Sequence, residues 1–430
     1  MTRPYPEPAW LDAGLAHLWR PYCQMKTAAP PLPVAATHGS RITLADGREL
    51  IDGIASWWTA CHGYNHPHIA AAVRAQLETM PHVMFGGLVH EPAARLASRL
   101  AALLPGDLNH VFFSDSGSVS VEVAMKMAIQ AALNRGERRR TKILAFRGGY
   151  HGDTLATMAV CDPDEGMHAL FTGVLPEQII ADLPRDAESH AALDALLAAE
   201  GERIAAILVE PLVQGAGGML FHDPDVLVAL REAATRHGCL LIFDEIFTGF
   251  GRTGHLFACK AAGVVPDIVT LSKALTGGTM ALAATVASRR VFEAFLSDDP
   301  GHALMHGPTY MANPLACAAA NASLDLFERE PRLEQSAAIE VALRVGLAPL
   351  VGRPGIRDVR VRGAVGVVEF AAIPDMDVLK ARFVAAGVWV RPFRTIAYLT
   401  PALTIPADDL ARLIEALAAV ATAHGRAHPG

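Results

Sequence analysis

Short, wholly apolar segments alternate with amphipathic segments through the middle of the chain, over about residues 66–325. The apolar segments are VFFSD (111–115), KILAF (142–146), IAAILVE (204–210), CLLIFDE (239–245) and DIVTLSK (267–273). Between the first two, residues 119–134 place Val119, Val123 and Met127 on one helical face. Strands without a polar face that alternate with helices predict a parallel sheet covered by helices on both sides. Ligands bind such a sheet at the carboxyl ends of its strands.

The two ends of the chain have a different pattern. Segment 41–53 contains two short runs of strand character around Asp46-Gly47, which predicts a hairpin. After about residue 326 the pattern indicates further strands, and residues 407–424 have the apolar spacing of a closing helix. These segments indicate a smaller α+β domain. We therefore expect an N-terminal arm with part of the small domain (1–65), a large ligand-binding domain (66–325) and a C-terminal small domain (326–430).

Composition and charge narrow the function classes. The 430 residues are 51% hydrophobic and 19% charged, which excludes a disordered chain. The net charge of −7 argues against a nucleic-acid-binding protein, which usually has a basic surface. The six scattered cysteines include no CxxC pair and indicate reduced thiols in the cytoplasm. The first ten residues lack a signal peptide's apolar region, and the uncharged stretch 303–324 contains prolines, so we expect no secretion and no membrane span.

Polar residues follow several of the predicted strands, where the fold would place a site. Asp244 ends one strand, and Lys273 ends the next, 29 residues later, which is enough for one strand–helix–strand unit. Gly117-Ser118 follows a strand and opens a helix, and Tyr150 follows another strand. Each of these residues alone has an ordinary interpretation, such as a surface lysine or a strand-end cap. Together they indicate a common site.

The residue types suit pyridoxal phosphate. A lysine at a buried site can lose its proton and form a Schiff base with an aldehyde cofactor. The ring nitrogen needs an acidic partner, for which Asp244 is suitable, and the ring face needs an aromatic residue, for which Tyr150 is placed. Backbone N–H groups at a helix N-terminus, here Gly117 and Ser118, bind phosphate. The pattern is therefore consistent with a pyridoxal enzyme.

Other ligands fit the motifs less well. The strand LIFDE resembles a Walker B strand, but the chain lacks the Gly-Lys dipeptide of a P-loop. Residues 249–254 match G-x-G-x-x-G, yet they open no predicted helix, and a non-enzymatic nucleotide-binding protein would depend on this match alone. Cys61-His62, His66 and His68 have no companion cluster, so we expect ordinary loop histidines and no metal site.

Taken together, the motifs resemble those of the class III aminotransferases among the fold-type I pyridoxal enzymes. The motifs shared across that class are FDEIFTGFGRTG (243–254), TLSKALTGG (270–278) and Glu210-Pro211. Narrower motifs are SWWTACHGYNHP (56–67), HVMFGGLVHEPA (82–93), SDSGSVSVEVAMKMA (114–128) and HGPTYMANPLACAAA (306–320). The resemblance implies an α/β fold with a mostly parallel seven-stranded sheet between helices in the large domain, and a smaller α+β domain built from both chain ends.

The resemblance also implies roles at the cofactor. Lys273 matches the Schiff-base lysine, which also moves a proton between the substrate Cα and the cofactor C4′. Asp244 matches the partner of the pyridinium nitrogen, and Tyr150 matches the stacking tyrosine. The phosphate-binding positions are Gly117 and Ser118 and, from a neighbouring subunit, Pro308 and Thr309. The last pair implies an obligate homodimer.

The narrower motifs are similar to the subgroup that transfers the amino group of S-adenosylmethionine to 8-amino-7-oxononanoate in biotin biosynthesis. The positions that match substrate contacts in that subgroup are Tyr22, Trp57, Tyr150, Arg252, Lys273, Gly307, Arg391 and Tyr398. Arg391 would provide a fork for a carboxylate, and Trp57 and Tyr150 would provide aromatic faces. A class III aminotransferase for an ω-amino acid or diamine stays open, as does lysine as the amino donor.

Overall fold

The computed structural model describes residues 8–163, 169–171 and 173–429. The strands are β1 Val34–His38, β2 Arg41–Leu44, β3 Glu49–Asp52, β4 Leu108–Ser114, β5 Lys142–Phe146, β6 Ile179–Ala181, β7 Ile204–Val209, β8 Val213–Gln214, β9 Leu220–Phe221, β10 Leu240–Asp244, β11 Ile268–Leu271, β12 Ala283–Ser288, β13 Ile356–Arg362, β14 Val365–Phe370, β15 Val388–Trp389 and β16 Ile396–Leu399. The helices are α1 Ala9–Leu15, α2 Ala55–Trp58, α3 Pro67–Thr79, α4 Glu91–Leu103, α5 Gly117–Asn134, α6 Leu155–Met158, α7 Ala187–Glu200, α8 Pro224–His237, α9 Cys259–Ala262, α10 Arg289–Glu293, α11 Pro314–Arg329, α12 Arg332–Leu347, α13 Met376–Ala385 and α14 Ala407–Ala427.

A seven-stranded sheet in the order β4-β12-β11-β10-β7-β5-β6 forms the centre of the molecule. Strand β12 is antiparallel to both of its neighbours, and the other strands run in one direction. Every residue of β7, β10, β11 and β12 is buried, because helices cover both faces. The predicted α/β fold with a mostly parallel seven-stranded sheet is confirmed.

Strand β12 joins the sheet although the sequence analysis did not predict it. Its sequence, AATVAS, is rich in alanine, which is depleted in strands. Small side chains at this position let helix α5 approach closely, and the Thr285 hydroxyl donates to the carbonyl oxygen of Ser120 at 2.8 Å. The short edge strand β6 was also absent from the prediction. Both strands depend on their neighbours more than on their own sequence.

Two smaller sheets contain the remaining long strands. One has the order β1-β2-β3-β15, and the other has the order β13-β14-β16. The hairpin predicted around Asp46-Gly47 is the β2–β3 pair, and β3 pairs in parallel with β15 from the far end of the chain. The closing helix α14 runs to Ala427, slightly beyond its predicted end. The proposed limits 1–65, 66–325 and 326–430 are consistent with this pairing and stay a proposal.

Candidate active site

Two cavities of about 470 and 160 Å³ lie where β10 and β11 end. Trp58, Tyr150, Ala216 and Lys273 line both cavities, so the two form one continuous site. The smaller cavity also contacts the start of α5, and the larger one extends to α13 and to the segment after β15. The site therefore lies at the carboxyl edge of the sheet, as the strand pattern predicted.

Lys273 lies at the junction of the two cavities. It begins a short 3-10 turn, Lys273–Thr276, with a left-handed backbone angle φ of 42°. Its Nζ atom lies 4.8 Å from the centre of the Trp58 ring, and no described residue hydrogen-bonds to it. Burial lowers the pKa of this amine, and the nearby carboxylates of Asp244 and Glu210 oppose that shift. A buried amine with a lowered pKa is suited to nucleophilic and proton-transfer chemistry.

Asp244 ends strand β10 and is buried. One carboxylate oxygen accepts a hydrogen bond from Nδ1 of His151 at 2.8 Å, which assigns the ring proton to that nitrogen. The other oxygen accepts from the Ile246 amide at 3.1 Å and from the Thr270 hydroxyl at 3.3 Å. The sequence analysis had assigned no role to His151, although it lies next to Tyr150. Its part in orienting Asp244 becomes visible only in three dimensions.

The start of α5 forms one wall of the smaller cavity. Gly117 and Ser118 line it, and the hydroxyl of the N-cap residue Ser116 accepts from the Val119 amide at 3.3 Å. The first amides of a helix have no partner within the helix and attract anions. Gly152, which also lines this cavity, packs directly against Ser118: a Cβ atom there would lie 2.2 Å from Oγ of Ser118, so only glycine fits. These features fit a phosphate group.

Tyr150 lies between the smaller and the larger cavity. Its amide donates to Glu210 at 3.0 Å, and its hydroxyl donates to Asp153 at 2.8 Å. The Tyr22 hydroxyl donates to the same Asp153 carboxylate and lies 3.4 Å from the Tyr150 oxygen. Burial, together with Asp153, raises the pKa of both phenols, so they act as neutral hydrogen-bond donors. Sequence reasoning missed Asp153, because a loop aspartate carries no recognisable pattern.

An aromatic wall surrounds a guanidinium group in the larger cavity. Cζ of Arg391 lies 4.5 Å from the ring centre of Trp57 and 5.9 Å from that of Tyr22, and the two rings meet edge to face. Burial lowers the pKa of Arg391, as expected for a cation partly withdrawn from water. No described residue forms a salt bridge or hydrogen bond with it. The wall therefore presents an uncompensated cation to the cavity.

The two tryptophans of this site stand on an unusual backbone segment. Four consecutive residues without a glycine, Ala55, Ser56, Trp57 and Trp58, have φ values of 46°, 51°, 56° and 72°. This single left-handed turn costs roughly 1–2 kcal/mol for each residue. Strain of this kind persists only where the surroundings support it, and it is concentrated at functional sites.

The remaining predicted residues fall into three groups. Tyr398 is buried and lines the larger cavity, with its ring 6.2 Å from that of Trp58. Arg252 is buried but lines neither cavity, because it donates to the carbonyl oxygens of Ala364 at 3.2 Å and Pro401 at 2.8 Å. Three residues of the loop before α11 line neither cavity either, namely Gly307, Pro308 and Thr309. The structure thus brings together the other predicted residues and leaves these four outside the cavities.

The alternative motifs have other roles. Residues 249–254 form turns between β10 and α9 and open no helix, so the dinucleotide interpretation is wrong. His62 accepts from Nε of Arg332 at 2.9 Å, and His68 contacts Asp325 at 2.8 Å. No group of three or more potential metal ligands occurs within the described residues. In the same part of the chain, no helix is long and apolar enough to cross a membrane.

Comparison with known sequences identifies the family. Residues 22–421 match the family described as aminotransferase class-III. The chain is 48% identical over 415 residues to the adenosylmethionine-8-amino-7-oxononanoate aminotransferase of Mycobacterium leprae, covering 94% of this chain and 95% of that protein. It is 41% identical over 423 residues to the protein of the same name from Synechococcus elongatus, covering 94% and 97%.

Solved structures agree with this assignment. The adenosylmethionine-8-amino-7-oxononanoate aminotransferase of Methanocaldococcus jannaschii has a TM-score of 0.91 at 29% identity and covers 97% of this chain and 99% of its own. An amine transaminase from an uncultivated Pseudomonas species, solved in its PLP-bound form, has a TM-score of 0.88 at 32% identity, covering 95% and 99%. The expected enzyme class and cofactor are thereby confirmed. The chain belongs to the class-III aminotransferases, enzymes that use pyridoxal phosphate.

Proposed function

We propose that this aminotransferase transfers the amino group of S-adenosylmethionine to the ketone of 8-amino-7-oxononanoate, which gives 7,8-diaminononanoate. The observation that carries the proposal is the identity of 40–48% to several relatives named for this pair of substrates, each matched over more than 90% of this chain. The large cavity with an uncompensated guanidinium and aromatic walls supports it. S-Adenosylmethionine leaves as its 2-oxo acid, so each amino group gained is balanced by one lost.

The smaller cavity would hold the cofactor. When bound, pyridoxal phosphate supplies an aldehyde that condenses with amines and a ring that accepts an electron pair. Gly117 and Ser118 would hold the phosphate with their amides, and Tyr150 would pack on the ring. The Asp244 carboxylate, oriented by His151, would keep a proton on the ring nitrogen. This proton makes the ring a better electron acceptor.

Lys273 performs the proton transfers. Its amine Nζ is buried and has a lowered pKa, so it can accept the proton of the substrate Cα and deliver it to the position that the cofactor carbon C4′ would occupy. The cation is the more costly form of this group in the cavity because of its desolvation. The carboxylates of Asp244 and Glu210 offset part of that cost. Lys273 can therefore exchange a proton in both directions during a catalytic cycle.

The larger cavity would receive both substrates in turn. Arg391 offers a carboxylate two parallel N–H donors while its face packs on Trp57. The aromatic surfaces of Trp57 and Tyr22 suit either an aliphatic chain or a sulfonium cation. One site can thus accept a cationic nucleoside amino acid and a long keto acid, because both carry a carboxylate.

We also infer a homodimer in the cytoplasm. Pro308 and Thr309 lie outside the cavities of their own chain, which is consistent with a role at the phosphate of a second copy. Gly307, which matches a substrate-contacting position, lies outside these cavities as well. Arg252 would act on the pocket indirectly, because its two hydrogen bonds join the segment before β14 to the segment after β16. These assignments rest on the family resemblance and on the geometry of a single chain.

A half-reaction assay tests the proposed function. The purified holoenzyme is mixed separately with S-adenosylmethionine, lysine, an ω-amino acid or a diamine. The absorbance of the aldehyde form of the cofactor is followed, because it is lost when the cofactor accepts the amino group. We expect S-adenosylmethionine to be the efficient donor. The aminated cofactor form is then mixed with 8-amino-7-oxononanoate, and 7,8-diaminononanoate is measured by mass spectrometry. Rapid reaction with an ω-amino acid or diamine and none with 8-amino-7-oxononanoate would overturn the proposal, and Lys273→Ala serves as the inactive control.

A further inference from the structure

A buried carboxylate lies directly beneath the left-handed turn. Asp52 ends β3 and is 2% exposed. One of its oxygens accepts from the Ile54 amide at 2.8 Å, and the other accepts from the Ser56 amide at 2.8 Å and the Tyr64 hydroxyl at 2.6 Å. Burial raises the pKa of Asp52, and these donors oppose that shift. Two of these three donors are backbone amides at the start of the turn, Ile54 just before it and Ser56 within it.

The position of Asp52 itself is fixed from several directions. Its amide donates to the carbonyl oxygen of Ser40 at 2.7 Å, and the Gly53 amide donates to that of Trp389 at 2.9 Å. The Gly53 carbonyl accepts from the Thr400 amide at 2.7 Å. Strand β15 and the residues next to β2 and β16 therefore hold the residues before the turn in place. The Asp52 carboxylate in turn holds the Ile54 and Ser56 amides, which have no hydrogen-bond partner within the turn.

The turn determines where two indole rings lie. Trp57 projects toward Arg391, whose guanidinium packs on it at 4.5 Å, while Trp58 packs against Phe247 with ring centres 4.5 Å apart and lies beside Nζ of Lys273. A right-handed conformation of the same residues would direct these side chains elsewhere, because the handedness of the backbone sets the Cβ directions. The aromatic wall around Arg391 therefore depends on a left-handed backbone in this turn.

We propose that Asp52 is a positioning residue that holds the left-handed turn and thereby sets the recognition of substrate by Trp57 and Arg391. The role concerns the same site as the proposed function and rests on it for the identity of the substrates. Asp52 lines neither cavity, so it acts through the turn rather than on the reacting atoms. Substrate affinity should consequently depend on Asp52 more strongly than cofactor binding does.

Asp52→Asn is the direct test. The amide keeps an acceptor for Ile54 but presents an N–H group to the Ser56 amide and the Tyr64 hydroxyl. The hydrogen bond from Ser56 is lost because two donors oppose each other, and the Tyr64 hydroxyl has to turn and act as acceptor. We expect KM for both substrates to rise about tenfold or more, the size of one lost charge-assisted hydrogen bond, with a smaller change in kcat. The cofactor's absorbance spectrum should stay as in the wild-type holoenzyme. The near-ultraviolet circular dichroism of the tryptophans should change.

A glycine variant separates positioning from general stability. Ser56 is exposed, and glycine adopts its backbone angles without the steric cost. If Asp52 acts by supporting the turn, Ser56→Gly should restore a large part of the lost affinity in the Asp52→Asn background. Asp409→Asn is the matched control, because Asp409 is also buried and accepts from Ser40 and Arg41 but does not touch the turn. We expect this control to change thermal stability while KM stays within about twofold.

Three results would overturn the inference. The first is an unchanged KM in Asp52→Asn, and the second is an equal rise of KM in Asp409→Asn. The third is the absence of rescue by Ser56→Gly. If Asp52→Asn fails to fold, Tyr64→Phe removes a single hydrogen bond of the same carboxylate and should give a smaller rise in KM. A wild-type enzyme that rejects both proposed substrates would contradict the proposed function, whereas the circular dichroism readout would still test Asp52.

Discussion

Arg391 provides the most direct test of how the larger cavity selects its substrates. Its guanidinium packs on Trp57 at 4.5 Å and is partly withdrawn from water, and no carboxylate of the described residues pairs with it. Such a cation binds an anion more favourably than a fully hydrated one does, because folding has already removed part of its water. We expect Arg391→Ala to weaken the binding of 8-amino-7-oxononanoate through its carboxylate.

The structure limits the size of this effect. A carboxylate on the guanidinium fork makes two charge-assisted hydrogen bonds, and the site is half-buried, so each bond is only partly screened. Together they should contribute about 2–4 kcal/mol, which corresponds to a loss of roughly 30- to 1,000-fold in kcat/KM. The cation–π contact between Arg391 and Trp57 stabilises this arrangement by about 0.5–2 kcal/mol before substrate binds. A lysine in Arg391→Lys would keep part of this contact. We therefore expect Arg391→Lys to lose only about 5- to 30-fold.

Single-turnover kinetics of each half-reaction separate substrate binding from cofactor chemistry. Arg391→Ala should leave the cofactor's absorbance spectrum intact, since this residue does not line the smaller cavity. Trp57→Ala should weaken both half-reactions, because it removes an apolar surface that both substrates use. An unchanged affinity and rate for 8-amino-7-oxononanoate in Arg391→Ala would refute the reasoning. Wild-type affinity in Arg391→Lys would contradict the role of the fork, because a single ammonium would then serve the carboxylate equally well.

Three further predictions concern buried ionisable groups. Borohydride reduction of the holoenzyme should place the cofactor adduct on Lys273, and mass spectrometry that finds it on Lys142 or Lys260 would contradict the assignment. Asp244→Asn should keep part of the cofactor but lose most transamination, because an amide cannot stabilise a protonated ring nitrogen electrostatically; near wild-type rates in both half-reactions would exclude it as the nitrogen's partner. Burial raises the pKa of Glu245 to about 7, so this group binds its proton more tightly in the folded than in the unfolded protein and its contribution to stability falls as pH rises from 4.5 to 7. Thermal unfolding at several pH values should show a flatter pH dependence in Glu245→Gln than in the wild type, and parallel curves would contradict the shift.

The parts of the fold that sequence reasoning predicted are those with a strong local pattern. Strands β5, β7 and β10 were recognisable because each is an uninterrupted apolar run, and α5 because its apolar residues repeat at helical spacing. Strand β12 escaped recognition because its alanines carry no strand preference, and only the neighbours β4 and β11 place it in the sheet. Its antiparallel direction likewise follows from the tertiary structure.

The candidate site divides along the same line. Lys273 and Asp244 were predictable because residues at strand ends meet at one edge of a parallel sheet. Asp153 and His151 were not, because their importance lies in hydrogen bonds to Tyr22, Tyr150 and Asp244 that join distant segments. Side chains that act on other side chains leave no periodic signal in a sequence.

The turn that holds Trp57 and Trp58 is the clearest case of a structure opposed to its local sequence. The segment Ala55-Ser56-Trp57-Trp58 contains no glycine, so the intrinsic preference of each residue is against a left-handed backbone. The opposing stabilisation comes from tertiary contacts, namely the Asp52 carboxylate on one side and the packing of both indoles on the other. The backbone thus departs from its intrinsic preference at the proposed substrate wall, and the contacts that oppose this preference also fix the positions of both indoles. We therefore expect loss of the Asp52 carboxylate or of the indole packing to favour the right-handed backbone that these residues intrinsically prefer.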